Sequence, residues 1–271
     1  MSVSSGSILH LFSKLQHTAP MVEQTTLQLE RGRGIAGDVN ADPLSPRQVL
    51  IVQEQDLLDL SLQPGDLREN IVIHGSDRSF KPGSILEFSN QVAIGLTLYC
   101  EPCKTVSHLV KSLKDLAGKR GILGVVVAGG TLTVGDRFVI HPDAFPALPE
   151  KPFDRFLNFL TQIPVGQVVT YREVITSIGV ANGYFRALPK YLQKADHSGY
   201  PAHRVLNTSG EITAHVRDQK QRLEAEGVRV QETGSVLLED YLWQARWITF
   251  HGGHQRDEHQ DSTASYSAAN T

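Results

Sequence analysis

The sequence predicts a multidomain protein: an N-terminal β-barrel followed by a mainly α domain of helix-turn-helix, winged-helix-like type. Three observations carry that prediction. Short runs rich in Val, Ile and Leu, broken by turn dipeptides, fill the chain to about residue 142. The proline-rich stretch AFPALPEKP, beginning at Ala144, then interrupts them without any periodicity. Beyond it, apolar residues recur at helical spacing. We therefore expect a barrel over 1–143, a linker over 144–152, a helical domain over 153–249 and a disordered tail over 250–271.

Composition narrows the function classes. A chain of 271 residues with 40% hydrophobic side chains can give each of two domains a core. A net charge of -3 excludes a protein that coats nucleic acid by bulk charge. Residues 151–250 nevertheless carry a small basic excess and residues 1–150 a small acidic one, which permits DNA binding by the second half. No run is long and apolar enough to span a membrane, and residues 1–7 lack the layout of a secretory signal, so a cytoplasmic protein with no membrane partner is expected. Two cysteines, Cys100 and Cys103, make no disulfide framework.

In the first half, strands are expected at 8–12, 48–53, 70–73, 85–88, 92–98, 122–127 and 138–141, punctuated by Pro64-Gly65, Pro82-Gly83 and Gly129-Gly130. Many short strands at regular spacing favour a barrel over a doubly wound sheet. Val106, Leu109, Val110, Leu113 and Leu116 break the pattern and predict a helix of about three turns. Cys103 would then stand at a strand-to-helix turn, where the helix dipole and Lys104 both favour a thiolate. A buried structural CxxC is the alternative. A zinc site lacks a second Cys or His pair at ligand spacing.

Several words in this half, in order, carry a family pattern: Gly34-Ile35-Ala36-Gly37-Asp38, Pro64-Gly65-Asp66-Leu67-Arg68-Glu69-Asn70, CEPC at 100–103, Gly118-Lys119-Arg120-Gly121 and Val134-Gly135-Asp136. Together they resemble a MOSC domain, the module found at the C-terminus of molybdenum cofactor sulfurases. The resemblance implies a small β-barrel in which Cys103 carries persulfide sulfur or meets a molybdenum cofactor. Asp38, Arg68 and Asn70 are either pocket residues or turn and cap residues.

In the second half, Phe153, Phe156, Leu157 and Leu160 mark an amphipathic helix. Thr170 with Glu173 forms a capping box that opens the next helix, which Gly179 stops. Pro189 is comfortable only in a first turn, so the third helix is expected to begin near Phe185 with Arg186 at its N-terminus. Two short helices joined by a tight turn read as a helix-turn-helix.

The pieces IPVGQVVTY, FRAL, YPAHRV, NTSGEI and RLEAEGV, closed by LLEDYLW, resemble the DNA-binding domain of the O6-alkylguanine-DNA alkyltransferases and, more closely, the alkyltransferase-like proteins. The alkyltransferases carry their nucleophilic cysteine in PCHRV, where this chain has Ala202, and a methyl group cannot attack an alkyl carbon. The resemblance implies a partner, double-stranded DNA with alkylated guanine, bound by base flipping without transfer and without a cofactor, and passed to excision-repair proteins. Tyr171 matches the tyrosine that crowds the phosphate, and Arg186 the arginine that fills the vacated stack. Ala202 would form the pocket floor, with Pro201, His203 and Arg204 around it and Glu226 orienting the histidine. Without a thiol to deprotonate, His203 and Arg204 keep a structural use.

Lys190, Lys194, Lys220 and Arg222 are candidate phosphate contacts or ordinary surface charge. The arginine that some members place soon after NTSGEI has only His215 or Arg217 nearby. His251, His254 and His259 give the tail a candidate metal-binding set, although no metal is assigned to either domain. Two other functions compete: a molybdenum-dependent or sulfur-transfer enzyme acting on modified nucleobases through the barrel, and a DNA-binding regulator that reads sequence.

Overall fold

A computed structural model describes residues 5–75 and 78–244; the expected tail and its histidines lie outside the described residues. The first half runs β1 (Ser5–Ser13), β2 (Val22–Gln24), β3 (Thr26–Glu30), β4 (Gly34–Ile35), β5 (Val49–Gln53), α1 (Glu54–Leu60) and β6 (Ile71–His74). It continues with β7 (Ile85–Phe88), β8 (Ala93–Tyr99), β9 (Ile122–Ala128), β10 (Gly130–Thr133) and β11 (Arg137–His141). The expected strands are all present. The brief β2, β3, β4 and β10 and the helix α1 are additions.

The barrel closes because β1 is long enough to serve two neighbours. Its start pairs with β11 through Ser5↔Val139, and its end pairs with β2 through Leu11↔Gln24. The strand order β11-β7-β8-β9-β5-β6-β1 is antiparallel except for β5 and β6, which are parallel and joined by α1. Alternate inward residues such as Ile51, Ile71, Ile73, Ile94, Phe88 and Phe138 fill the interior. Gly121, just before β9, holds φ 83, and a β-carbon there would lie 2.4 Å from the Ile51 carbonyl oxygen, which leaves no room for a side chain.

The helix expected over 106–116 is absent. Two 3-10 turns, Lys104–Leu109 and Leu113–Leu116, stand in its place. Val110 and Ser112 between them are extended, and Ser112 with Asp115 forms its own capping box, so a new turn starts where an α-helix would have continued. Of the apolar residues that suggested a helix, only Val106 and Leu116 are fully buried.

The second half contains α2 (Pro152–Leu160), β12 (Val169–Thr170), α3 (Tyr171–Ser177), a 3-10 turn Asn182–Arg186 and α4 (Leu188–His197). A further 3-10 turn, Ala202–Arg204, leads into β13 (Val205–Leu206), followed by α5 (Gln219–Ala225) and α6 (Leu238–Tyr241). Thr170 and Glu173 make the expected capping box. The third helix starts later than expected, at Leu188. Arg186 ends the preceding 3-10 turn, which the Ala187 amide closes on the Tyr184 carbonyl at 2.8 Å, and Pro189 takes the first turn of α4. Phe156, Leu160, Val174, Ile175, Leu188 and Leu192 form the core of this half, with Ala202 among them. After α6 the Trp243 amide donates to the Val168 carbonyl at 2.9 Å, and its ring lies 5.9 Å from that of Phe159. No helix among the described residues is long and apolar enough to cross a membrane.

Candidate nucleic-acid interface and thiol pocket

The segment around Ala202 is built on one carboxylate. Arg204 grips Glu226 bidentately, with Nε to Oε2 at 2.9 Å and Nη2 to Oε1 at 2.8 Å, while its Nη1 donates to the Ile163 carbonyl at 2.7 Å. His203 Nε2 meets Glu226 Oε1 at 2.7 Å, and the Gly166 amide donates to Oε2 at 3.2 Å. One side chain thus ties together the Ile163-Pro164-Val165-Gly166 turn, the Ala202–Arg204 turn and the end of α5. Burial alone would raise the Glu226 pKa, but hydrogen bonds from Arg204, His203 and the Gly166 amide outweigh it and bring it down to about 2. Burial lowers His203 despite Glu226, so the imidazole is neutral near pH 7 and donates from Nε2. Its Nδ1 makes no hydrogen bond among the described residues.

Ala202 itself is fully buried. Gln219 holds the backbone beside it, with Nε2 donating to the carbonyls of His203 at 3.0 Å and Val205 at 2.8 Å. Its Oε1 accepts from the Thr213 amide at 2.6 Å. The Thr213 side chain is hydrogen-bonded to Tyr171; burial pushes that phenol up and the bond draws it partly back. Arg186 is exposed and makes no ion pair among the described residues.

In the barrel, a cavity of about 260 Å³ is lined by Lys14, Arg47, Arg68, Asn70, Cys103, Thr105 and Arg120, among others. Four cationic side chains line it together with both thiols, Cys100 and Cys103. Cys103 is exposed and Cys100 buried. Burial pulls the Cys103 pKa upward, but hydrogen bonds with Thr105, the charge of Arg120 and the Val106 amide prevail and lower it. Burial raises Cys100. The thiol is therefore tuned by Thr105 and Arg120, where the sequence suggested a helix dipole and Lys104. Arg120 is 5% exposed, and its Nε and Nη1 have no hydrogen-bond partner. Burial and the nearby Arg68 both lower Lys14, against the pull of Asp38. Arg68 holds φ 59, a conformation unusual outside glycine.

Two protein families account for these two halves. Residues 152–228 match the 6-O-methylguanine DNA methyltransferase DNA-binding domain, and residues 45–139 match the MOSC domain. A DNA base-flipping protein of Vibrio parahaemolyticus is 44% identical over 87 residues, covering 31% of this chain and 86% of that protein. Alkyltransferase-like protein 1 of Schizosaccharomyces pombe is 32% identical over 103 residues, covering 34% of this chain and 93% of its own length. The chain belongs to the alkyltransferase-like family. A MOSC domain precedes the family's domain. Among solved structures, S. pombe Atl1 in complex with damaged DNA containing O6-carboxymethylguanine has a TM-score of 0.31 at 29% identity, covering 35% of this chain and 95% of that one.

The fold brings Ala202, His203, Arg204 and Glu226 into one cluster, with Tyr171 linked to it through Thr213 and Gln219. Pro201 is the residue before the Ala202–Arg204 turn, and the Arg204 amide donates to its carbonyl at 3.2 Å. Most of the candidate phosphate contacts have other partners. Lys194 lies 4.2 Å over the Phe153 ring, Lys220 is 3.9 Å from Glu224, and Arg222 is paired with Asp196. Arg217 also binds Asp196, at 2.8 Å, so that of these candidates His215 and Lys190 are the ones exposed without such a partner among the described residues. Asp38 is a turn residue, accepting from the amides of Lys14 and Asn40 at 2.8 Å each, whereas Arg68 and Asn70 line the cavity. Gln219, Asp196, Arg47 and Lys14 were not singled out by sequence, because each acts through a partner distant in the chain.

Proposed function

We propose that the helical half binds O6-alkylguanine in duplex DNA by flipping the base, holds it without transferring the alkyl group, and presents the lesion to excision-repair proteins. One observation carries this reading: Ala202 stands where a nucleophile is needed, inside an intact His203, Arg204 and Glu226 framework. The relatives named above, a base-flipping protein and an alkyltransferase-like protein, support the same assignment. Extruding a guanine costs a few kcal/mol of stacking and pairing, and the exposed, unpaired Arg186 guanidinium is available to fill the gap. Tyr171, at the start of α3, is positioned to crowd the phosphate. A duplex carrying O6-methylguanine should bind more tightly than the same duplex with guanine, and its methyl label should remain on the DNA. Equal affinity for both duplexes would favour a sequence-reading regulator, and loss of the label would reveal an alkyl transferase.

A second reading concerns the barrel, favoured by the unpartnered, buried Arg120. Lys14, Arg47, Arg68 and Arg120 fit an anionic group beside Cys103, as the phosphate of a molybdenum cofactor or a persulfide would be. Such a cofactor would supply redox chemistry at molybdenum, and a persulfide a transferable sulfur. In this reading the arginines bind and orient the anionic end, and Thr105 and Arg120 favour the thiolate. The DNA-binding half would direct that chemistry toward modified nucleobases. Molybdenum or cyanide-labile sulfur retained by the purified protein, and lost in Cys103→Ser, is the expected result; neither being retained would remove this role.

A further inference from the structure

Arg47 belongs to two places at once. Its side chain lines the cation-rich cavity of Cys103, and its Nη1 donates to the Gly179 carbonyl at 3.1 Å, just past the C-terminal end of α3. A guanidinium there caps the turn that ends the helix, through the Gly179 carbonyl, and complements the helix dipole. The contact is close. A β-carbon on Gly179 would lie 2.7 Å from the Pro46 ring and 3.1 Å from the Leu98 side chain, so the barrel rests directly on the turn that follows α3. That turn leads into the 3-10 segment ending in Arg186. The other cation deep in the cavity, Arg120, is buried with two nitrogens unpartnered among the described residues, near the buried Glu69 and the two thiols.

We infer that the Cys103 cavity regulates the DNA-binding half: an anion held there competes with the Gly179 carbonyl for Arg47, loosens the end of α3, and weakens the grip on DNA. The coupling rests on the DNA-binding reading above, but its structural part does not. A carbonyl is a weaker acceptor for a guanidinium than a full negative charge, so an anion within reach redirects Arg47. Loss of the cap frees the turn between the two helices of the helix-turn-helix. By linkage, DNA binding must weaken the cavity's hold on the anion by the same factor.

Chemical modification of Cys103 tests this with a charge of known position. Iodoacetate attaches a carboxylate to the sulfur, and iodoacetamide attaches a neutral group of nearly the same size; Cys100, being buried, is spared. Hydrogen exchange of the segment 175–187 should be faster in the carboxymethyl protein than in the carbamidomethyl protein. Affinity for the O6-methylguanine duplex should fall by about 5-fold or more in the first and little in the second. In Arg47→Ala both differences should vanish. Unchanged exchange in the carboxymethyl protein, or a difference that survives in Arg47→Ala, overturns the proposal whether or not DNA binds. An unmodified protein that binds no duplex overturns the DNA-binding reading instead, and the exchange measurement still decides the coupling.

Discussion

The two halves differ in where a thiol stands and in how its surroundings are satisfied. The barrel has an exposed thiol, Cys103, in a cavity where Arg120 leaves Nε and Nη1 unpartnered among the described residues. The helical half keeps the support that surrounds a nucleophile, with every oxygen of Glu226 satisfied, and has a methyl group where the thiol would be. The difference teaches what a catalytic framework does besides catalysis. The Glu226 cluster holds together three chain segments distant in sequence, so it persists without a reaction to run. In the cavity, by contrast, two nitrogens of the buried Arg120 are unmet among the described residues, which points to a ligand.

The sharpest way to break that contrast is to remove one member of the closed cluster. Arg204→Ala leaves the largely buried Glu226 charge with His203 and one amide, and we expect a loss of about 3 to 5 kcal/mol in unfolding free energy. Arg120→Ala should cost far less, because Arg120 has no hydrogen bond through Nε or Nη1 to lose. Denaturant unfolding of both variants checks this; equal losses would abolish the distinction. Acid should act on the same cluster. Glu226 titrates near 2 in the folded chain, below its ordinary 4.5, so its contribution is complete above pH 4.5 and is lost as the pH falls toward 2. His203 is also lowered, so protonating it opposes folding once the pH drops below its ordinary 6.5. Stability should therefore decline in acid, and Glu226→Gln should flatten the lower part of that decline.

The next effect in size sharpens the contrast on the DNA side. Arg186→Ala should weaken binding to an O6-methylguanine duplex by about 1 to 3 kcal/mol, the scale of a lost stacking contact. Binding to the undamaged duplex, held by phosphate contacts, should change less and fall with salt. Equal loss on both would make Arg186 a phosphate contact.

Much of this architecture is legible in the sequence, and the limits have physical causes. The capping box at Thr170 and the proline-led start of α4 depend on neighbours within a turn, so the sequence reports them to within two or three residues. The strands β2 and β4, of three and two residues, are too short for alternation to register. Helical spacing over 106–116 misleads because Ser112 and Asp115 restart the chain locally. For the site, the words around Ala202 and Cys103 mark the right segments. Gln219 and Arg47 carry no local signal, since their partners are more than ten residues away in the chain.

A smaller effect separates the two cysteines. Iodoacetamide should label Cys103 faster near neutral pH than it labels a model thiol, because Thr105 and Arg120 favour the thiolate, while Cys100 should react only on unfolding. Replacing Thr105 by Val should slow the labelling. If both cysteines react only after denaturation, the cavity's thiol is structural.

The smallest expected effect is the most direct test of the comparison, because it moves the nucleophile from one half to the other. Ala202→Cys restores a thiol beside His203, whose Nδ1 has no partner among the described residues and whose Nε2 is fixed on Glu226. A neutral imidazole so oriented is the base a thiol needs, but transfer also requires the sulfur and that nitrogen to come within hydrogen-bond reach. Ala202 is fully buried among core side chains, so a larger group there must either displace them or point away from the histidine. The variant should therefore lose about 1 to 3 kcal/mol of stability and remove methyl label from O6-methylguanine DNA slowly at best. The unaltered protein should remove none, since its only thiols belong to the barrel. Rapid, stoichiometric transfer by the variant would mean that the framework had kept its catalytic geometry intact. A slow reaction accelerated by raising the pH would mean that the thiol is present but unassisted. Histidine assistance predicts instead that Glu226→Gln, added to Ala202→Cys, slows transfer further at neutral pH.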